Sequence, residues 1–192
     1  MTKGEQSKNH LIECAARLFW KNGYNATGIN DILSAAQLPK GSFYFHFKSK
    51  RELAAASVTY YENKIIDWMQ ETAQEKTWEE FVEDFSAYMI KEAEQQRHLG
   101  CPFAAIGQEI AFSEPEIAEC YRKSLDKLRE NFQHVLLSSD ISEEAATSLS
   151  HRILAAYEGY LMLFRIGKDC SVLGRMKTDL IGMVKDYEAA GH

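Results

Sequence analysis

Apolar residues along this chain recur at spacings of three and four, and that rhythm limits what it can fold into. Alternation with period two, the mark of a half-buried strand, is almost absent. Proline, which breaks helices, stands only at Pro39, Pro102 and Pro115. The pattern predicts an all-α chain. A first helix spans about residues 6–22, with Leu11, Ile12, Ala15, Leu18 and Phe19 on one face and Gly23 to end it. A short second helix follows Thr27, whose hydroxyl suits an N-cap, and turns Ile29, Ile32, Leu33 and Ala36 inward. After the turn "QLPKG" a third helix covers about residues 40–47. A fourth opens at "SKRE", a capping box of Ser49 and Glu52, and continues past Trp68. Further helices are expected over about 77–97, 102–112, 115–138, 142–167 and 172–189.

The 192 residues suffice for one substantial core, or for a small domain attached to a larger one. With 45% apolar and 26% charged residues, the chain is not of the disordered class. It has no run of 18 uncharged apolar residues and no apolar secretory leader, so a cytoplasmic protein is expected. Cys14, Cys101, Cys120 and Cys170 lack zinc-ligand spacing and read as reduced thiols. No G-x-S-x-G, phosphate-binding loop, dinucleotide glycine pattern or metal-binding histidine pair is present. The reading is therefore not an enzyme, with no cofactor and no metal.

The stretch "KGSFYFHFKSKREL", residues 40–53, combines features that rarely share a helix. At about 100° per residue, Phe43 and Phe47 lie one turn apart on one side and should pack inward. Ser42, Tyr44, Phe45 and His46 occupy the other sides, and Lys40, Lys48, Lys50 and Arg51 flank them. Residues 1–52 carry eight basic and four acidic residues, a net +4, while the remainder carries −10. A basic end on an acidic body describes a localised anion-binding face. Two short helices joined by a tight turn, the second flanked by cations, describe a helix-turn-helix. A non-specific architectural DNA-binding protein would need basic charge over more of its surface.

The segment "ATGINDILSAAQLPKGSFYFHFKSKREL" resembles the DNA-binding domain of the TetR family of transcriptional repressors, over about residues 8–55. The resemblance implies an all-α homodimer. Residues 1–52 would form a three-helix helix-turn-helix DNA-binding domain. Residues 53–192 would form a larger helical ligand-binding and dimerisation domain. It implies that Thr27 caps the second helix and meets phosphate, and that Lys40, Gly41 and Ser42 open the recognition helix. Tyr44 matches a ring that reaches DNA, and His46 and Lys50 match phosphate contacts. Lys48 is either a further contact or a solvated charge. Phe45 stands where the family often has a second tyrosine, so an apolar contact with sugar or methyl, or packing at the domain edge, is expected there. Pro39 replaces a common serine.

The remainder is rich in rings, most of them core in a helical bundle. The resemblance makes some of them pocket wall for an unknown small molecule, with Tyr88, Phe103, Tyr121 and Tyr157 as candidates. Cys101 stands at the start of the sixth helix, between Gly100 and Pro102. It reads either as a small buried side chain or as a regulatory thiol, the latter resembling a subset of TetR-like regulators that respond to electrophiles. The last two long helices are strongly apolar, with small residues Ala155, Ala156 and Gly159. They are expected to build the homodimer interface, setting two recognition helices roughly 34–36 Å apart on a palindromic double-stranded DNA operator. The function implied is a repressor released from that operator by a small-molecule inducer or by modification of a thiol.

Overall fold

The computed structural model describes residues 2–190. Among them are α1 (Lys3–Asn22), α2 (Ile29–Ala36), α3 (Lys40–His46), α4 (Lys50–Ala73), α5 (Trp78–Glu94), α6 (Pro102–Ile110), α7 (Pro115–Leu137), α8 (Glu143–Gly167) and α9 (Ser171–Ala189), with no strand. The all-α reading holds, and each expected helix is present within a few residues.

α1 begins earlier than its apolar face suggests, because Thr2 and Glu5 form a capping box. Thr2 Oγ1 accepts from the Glu5 N–H at 3.2 Å, and Glu5 Oε2 accepts from the Thr2 N–H at 2.6 Å. Thr77 and Glu80 start α5 in the same way. The cap of α2 differs from expectation. Gly28 takes the N-cap position, and Asp31 Oδ2 accepts the Gly28 N–H at 2.8 Å. Thr27 is instead buried, and its hydroxyl donates to the Gly23 carbonyl at 2.7 Å. At α4, Ser49 Oγ accepts from the Glu52 N–H as expected, but the Glu52 carboxylate reaches one residue further back, to the Lys48 N–H at 2.7 Å.

The chain divides into two compact units, one up to Ile65 together with Pro102–Ser124, the other Ile66–Cys101 together with Leu125 onward. The divisions fall within α4 and α7. In the first unit α1 packs on α2, α3 and α6, around Leu11, Phe19, Ile32, Phe43 and Phe103. In the second unit α9 packs on α5 and α8. Its core is an aromatic cluster of Trp78, Phe81, Phe85, Phe132 and Tyr157, with neighbouring ring centroids 5.3–6.4 Å apart. Such offset and edge-on pairs add to the stabilisation from area burial alone.

Trp78 carries a polar atom into that core, and its Nε1–H donates to the Leu180 carbonyl of α9 at 3.0 Å. Removing the donor loses this bond between α5 and α9, while the Leu180 carbonyl keeps its place in the hydrogen bonding of its own helix. Trp78→Phe is expected to lower unfolding free energy by about 2–4 kcal/mol, through the lost hydrogen bond and the smaller ring. Urea denaturation followed by circular dichroism measures it.

Candidate nucleic-acid interface

A helix of seven residues is far below the length that is stable alone in water. α3 is held by two rings on its inner side, Phe43 at 0% and Phe47 at 3% exposure, each worth about 1.5–3 kcal/mol in burial. The Phe47 N–H closes the helix on the Phe43 carbonyl at 2.8 Å.

The remaining sides of α3 carry no comparable packing. Tyr44 is 57% and Phe45 80% exposed. Tyr44 meets Phe43 edge-on at 5.2 Å, and His46 meets Phe45 edge-on at 4.8 Å. Lys40, Gly41 and Lys48 are exposed, and Ser42 and His46 half-buried. A Cβ added to Gly41 would meet nothing within 4 Å, so nothing within the fold requires glycine there. Lys40, Gly41, Ser42, Tyr44, Phe45, His46 and Lys48 are thus brought together along one short helix and its end.

Two sequence-selected residues point elsewhere. Thr27 is buried, as above. The Lys50 ammonium turns into the protein, donating to the carbonyls of Tyr24 at 3.0 Å and Thr27 at 3.2 Å, and lies 4.2 Å from the centre of the Tyr24 ring. Arg51 is paired with Glu114 at 3.3 Å and Glu116 at 2.9 Å. Another cation stands beside α3. Lys8 of α1 places its ammonium 5.8 Å from the centre of the Phe47 ring. Helical periodicity marks Lys8 only as off the apolar face, and nothing in the sequence links it to α3.

The five ligand candidates are divided between the two units. Phe103 and Tyr121 lie in the first unit, and Tyr88, Cys101 and Tyr157 in the second. Tyr88 is half-exposed and packs on Trp68, with centroids 4.5 Å apart. Tyr157 belongs to the aromatic core. Tyr121 is fully buried and its hydroxyl has no hydrogen-bond partner. The Tyr61 hydroxyl, in the same unit, is likewise buried without one. Burial drives both phenols well above their usual range, and Tyr60 and then Tyr121 add to the effect on Tyr61. Tyr61 lies amid the apolar face of α4, and the sequence does not distinguish it from other core rings. In the second unit an open groove of about 810 Å³ is lined by Met69, Lys76, Phe81, Glu130, Asn131 and His134 among others, and holds none of the five. No group of three or more metal-ligating side chains occurs among the described residues.

Cys101 is buried beside α8 residues Tyr157 and Glu158. Burial pushes the Glu158 carboxyl up to about 7, against a smaller lowering by the Cys101 thiol. Its Oε1 is buried without a hydrogen-bond partner. Gly100, before the thiol, has φ 91°, and a Cβ there would stand 3.2 Å from the Leu161 carbonyl, so both conformation and space favour glycine.

A short helix anchored by its inner rings, preceded by a second short helix and presenting an open, cationic outer side, defines a helix-turn-helix DNA-binding protein. Residues 11–57 match the model of the bacterial regulatory proteins of the TetR family, and residues 76–179 match the C-terminal domain of LmrA/YxaF-like transcriptional regulators. The HTH-type transcriptional regulator YxaF of Bacillus subtilis (strain 168) is 32% identical over 177 residues, covering 88% of this chain and 90% of that one. LmrA of the same organism is 25% identical over 185 residues, covering 93% and 97%. A crystal structure of a TetR transcriptional regulator from Chloroflexus aurantiacus J-10-FL superposes with a TM-score of 0.82 at 29% identity, covering 96% of this chain and 97% of that one. The chain belongs to the TetR family of DNA-binding transcriptional regulators and is not an enzyme.

Glu158 makes stability depend on pH in a definite direction. Unfolded, it ionises near 4.5; folded, it keeps its proton up to about 7. Between those values the unfolded chain binds fewer protons, so stability falls as pH rises, and the loss is complete above the folded value. Glu158→Gln should therefore match wild type at pH 4 and exceed it by at most about 3 kcal/mol at pH 8. His98, held down to about 4 by burial, acts equally in both proteins. Urea titrations at the two pH values check this.

Proposed function

We propose that this chain is a homodimeric repressor released from a palindromic operator by a small-molecule inducer or by modification of a thiol. Residues 1–52 read DNA, and residues 53–192 bind ligand and dimerise. The observation that carries the DNA reading is the outer side of α3. Gly41 leaves bare backbone facing open space, next to exposed Tyr44 and Phe45 and between Lys40 and Lys48. Close approach of a phosphate backbone explains both the missing side chain and the cations. Thr27 then acts through its backbone and its buried hydroxyl. Lys50 orders the preceding turn, and its charge adds to the local potential.

Dimerisation through α8 and α9 is supported by an unpartnered stripe on α8, where Met162, Leu163 and Ile166 are 48%, 53% and 75% exposed. Ala155 and Gly159 continue the stripe, and a Cβ at Gly159, Gly174 or Gly182 would meet nothing within 4 Å. Such bare positions let a second helix pair approach closely. The inducer reading is supported by the Tyr61 and Tyr121 hydroxyls, whose unmet hydrogen bonds would hold a polar group of a ligand. The thiol reading is supported by Cys101 lying beside Glu158, where a bulky adduct has no free room.

Two experiments separate these parts. Gly41→Ala should stabilise the fold by about 0.5–1 kcal/mol, as expected for an exposed helical glycine, yet weaken binding to a selected operator duplex by about tenfold. Equal or tighter DNA binding by that variant would remove the case for contact at α3. Treatment with N-ethylmaleimide should release wild type from the duplex and leave Cys101→Ser bound. Equal loss of binding in both proteins would discard Cys101 as the responsive thiol.

A further inference from the structure

The turn between α1 and α2 is held by a residue far along the chain. Glu109, in the last turn of α6, accepts the Tyr24 N–H on Oε2 and the Asn25 N–H on Oε1, each at 2.8 Å. Gly23, just before, has φ 93°, and a Cβ there would stand 2.7 Å from Glu109 Oε2. The glycine therefore serves the carboxylate as well as the bend. The opposite polarity of the turn is taken by Lys50 of α4, whose ammonium donates to the carbonyls of Tyr24 and Thr27. Between them, these two charges fix the peptide groups that lead directly into Gly28 and α2, and α2 packs on α3.

Glu109 is itself exposed, as is Asn25. The Asn25 bond is exposed and the Tyr24 bond only part-buried, so limited folding energy depends on the carboxylate. What depends on it is direction: two charge-assisted bonds from one rigid planar group leave the turn one orientation.

We propose that Glu109 is a positioning residue for DNA binding, whose carboxylate sets the Tyr24–Asn25 turn and, through it, the presentation of α2 and α3. Operator affinity then depends on a side chain of α6 that touches no DNA-facing residue of α3. The inference rests on the reading of α3 as the DNA-facing helix.

The test uses the full-length protein and a labelled duplex selected from a random pool by wild type, with fluorescence anisotropy at fixed salt. A non-selected duplex of equal length and a thermal melt are run beside it. Glu109→Ala is expected to bind the selected duplex about tenfold more weakly, with non-selected binding and the melt nearly unchanged. Hydrogen exchange at the Tyr24 and Asn25 amides should accelerate. Glu109→Gln, which keeps one acceptor oxygen, should recover part of the affinity. Tyr44→Ala is the control for the α3 reading. Loss of binding in Tyr44→Ala, with wild-type affinity in Glu109→Ala despite faster amide exchange, overturns the positioning role alone. Wild-type affinity in Tyr44→Ala overturns the α3 reading, and this route with it.

Discussion

Burial of Phe43 and Phe47 is the interaction on which the DNA-binding head depends. α3 has too few hydrogen bonds to offset the ordering of its own backbone. Two large rings on its inner side supply the difference. They also leave Lys40, Gly41, Tyr44 and Phe45 free of structural duty. A recognition helix must show its functional side chains to solvent, so it must take nearly all of its stability from the other side.

The turn before α2 solves a related problem with polar groups. Its N–H groups go to a carboxylate on α6 and its carbonyls to an ammonium on α4. Charges that the sequence presents as candidate DNA contacts are thereby divided in use. Lys40 and Lys48 stay exposed, Lys50 is turned into the fold, and Arg51 is neutralised by Glu114 and Glu116. The positive surface near α3 is smaller than the net +4 of residues 1–52 suggests, and Lys8 extends it from α1. Surface pairs such as Arg51 with Glu116 contribute little stability, but they reduce the unpaired positive charge near the start of α4.

Beyond the head, the chain keeps polar groups in places where an inert helical bundle would have none. Tyr61 and Tyr121 bury hydroxyls without partners, and Glu158 buries a carboxylate oxygen beside Cys101. Each costs stability in the free protein. The proposed inducer or thiol modification would act at these groups, shifting a balance between two states. The exposed stripe on α8 belongs to the same economy, an apolar surface whose partner is a second copy in the proposed dimer.

The helices, and the inward set of Phe43 and Phe47, are legible in the sequence because both follow from local periodicity. A ring one turn after another lies on the same face whatever the rest of the chain does. The family motif around "KGSFYFHF" is legible for the same reason, since it is a contiguous segment. Thr27 and Lys50 are not, because a hydroxyl or an ammonium can face either way and tertiary partners choose. Gly23 and Leu18 carbonyls claim the first, and Tyr24 and Thr27 carbonyls the second. The surroundings of the pocket candidates are likewise set by tertiary packing, since Tyr88, Tyr121 and Tyr157 look alike in sequence yet stand on a surface, in one core and in another. Glu109 carried no sequence signal at all, its partners standing 84 and 85 residues earlier. What the sequence determined by itself was what local geometry repeats: the helices, their inner faces and the recognition motif. Which polar groups face inward was decided only by the tertiary structure, because that choice depends on partners distant in the chain.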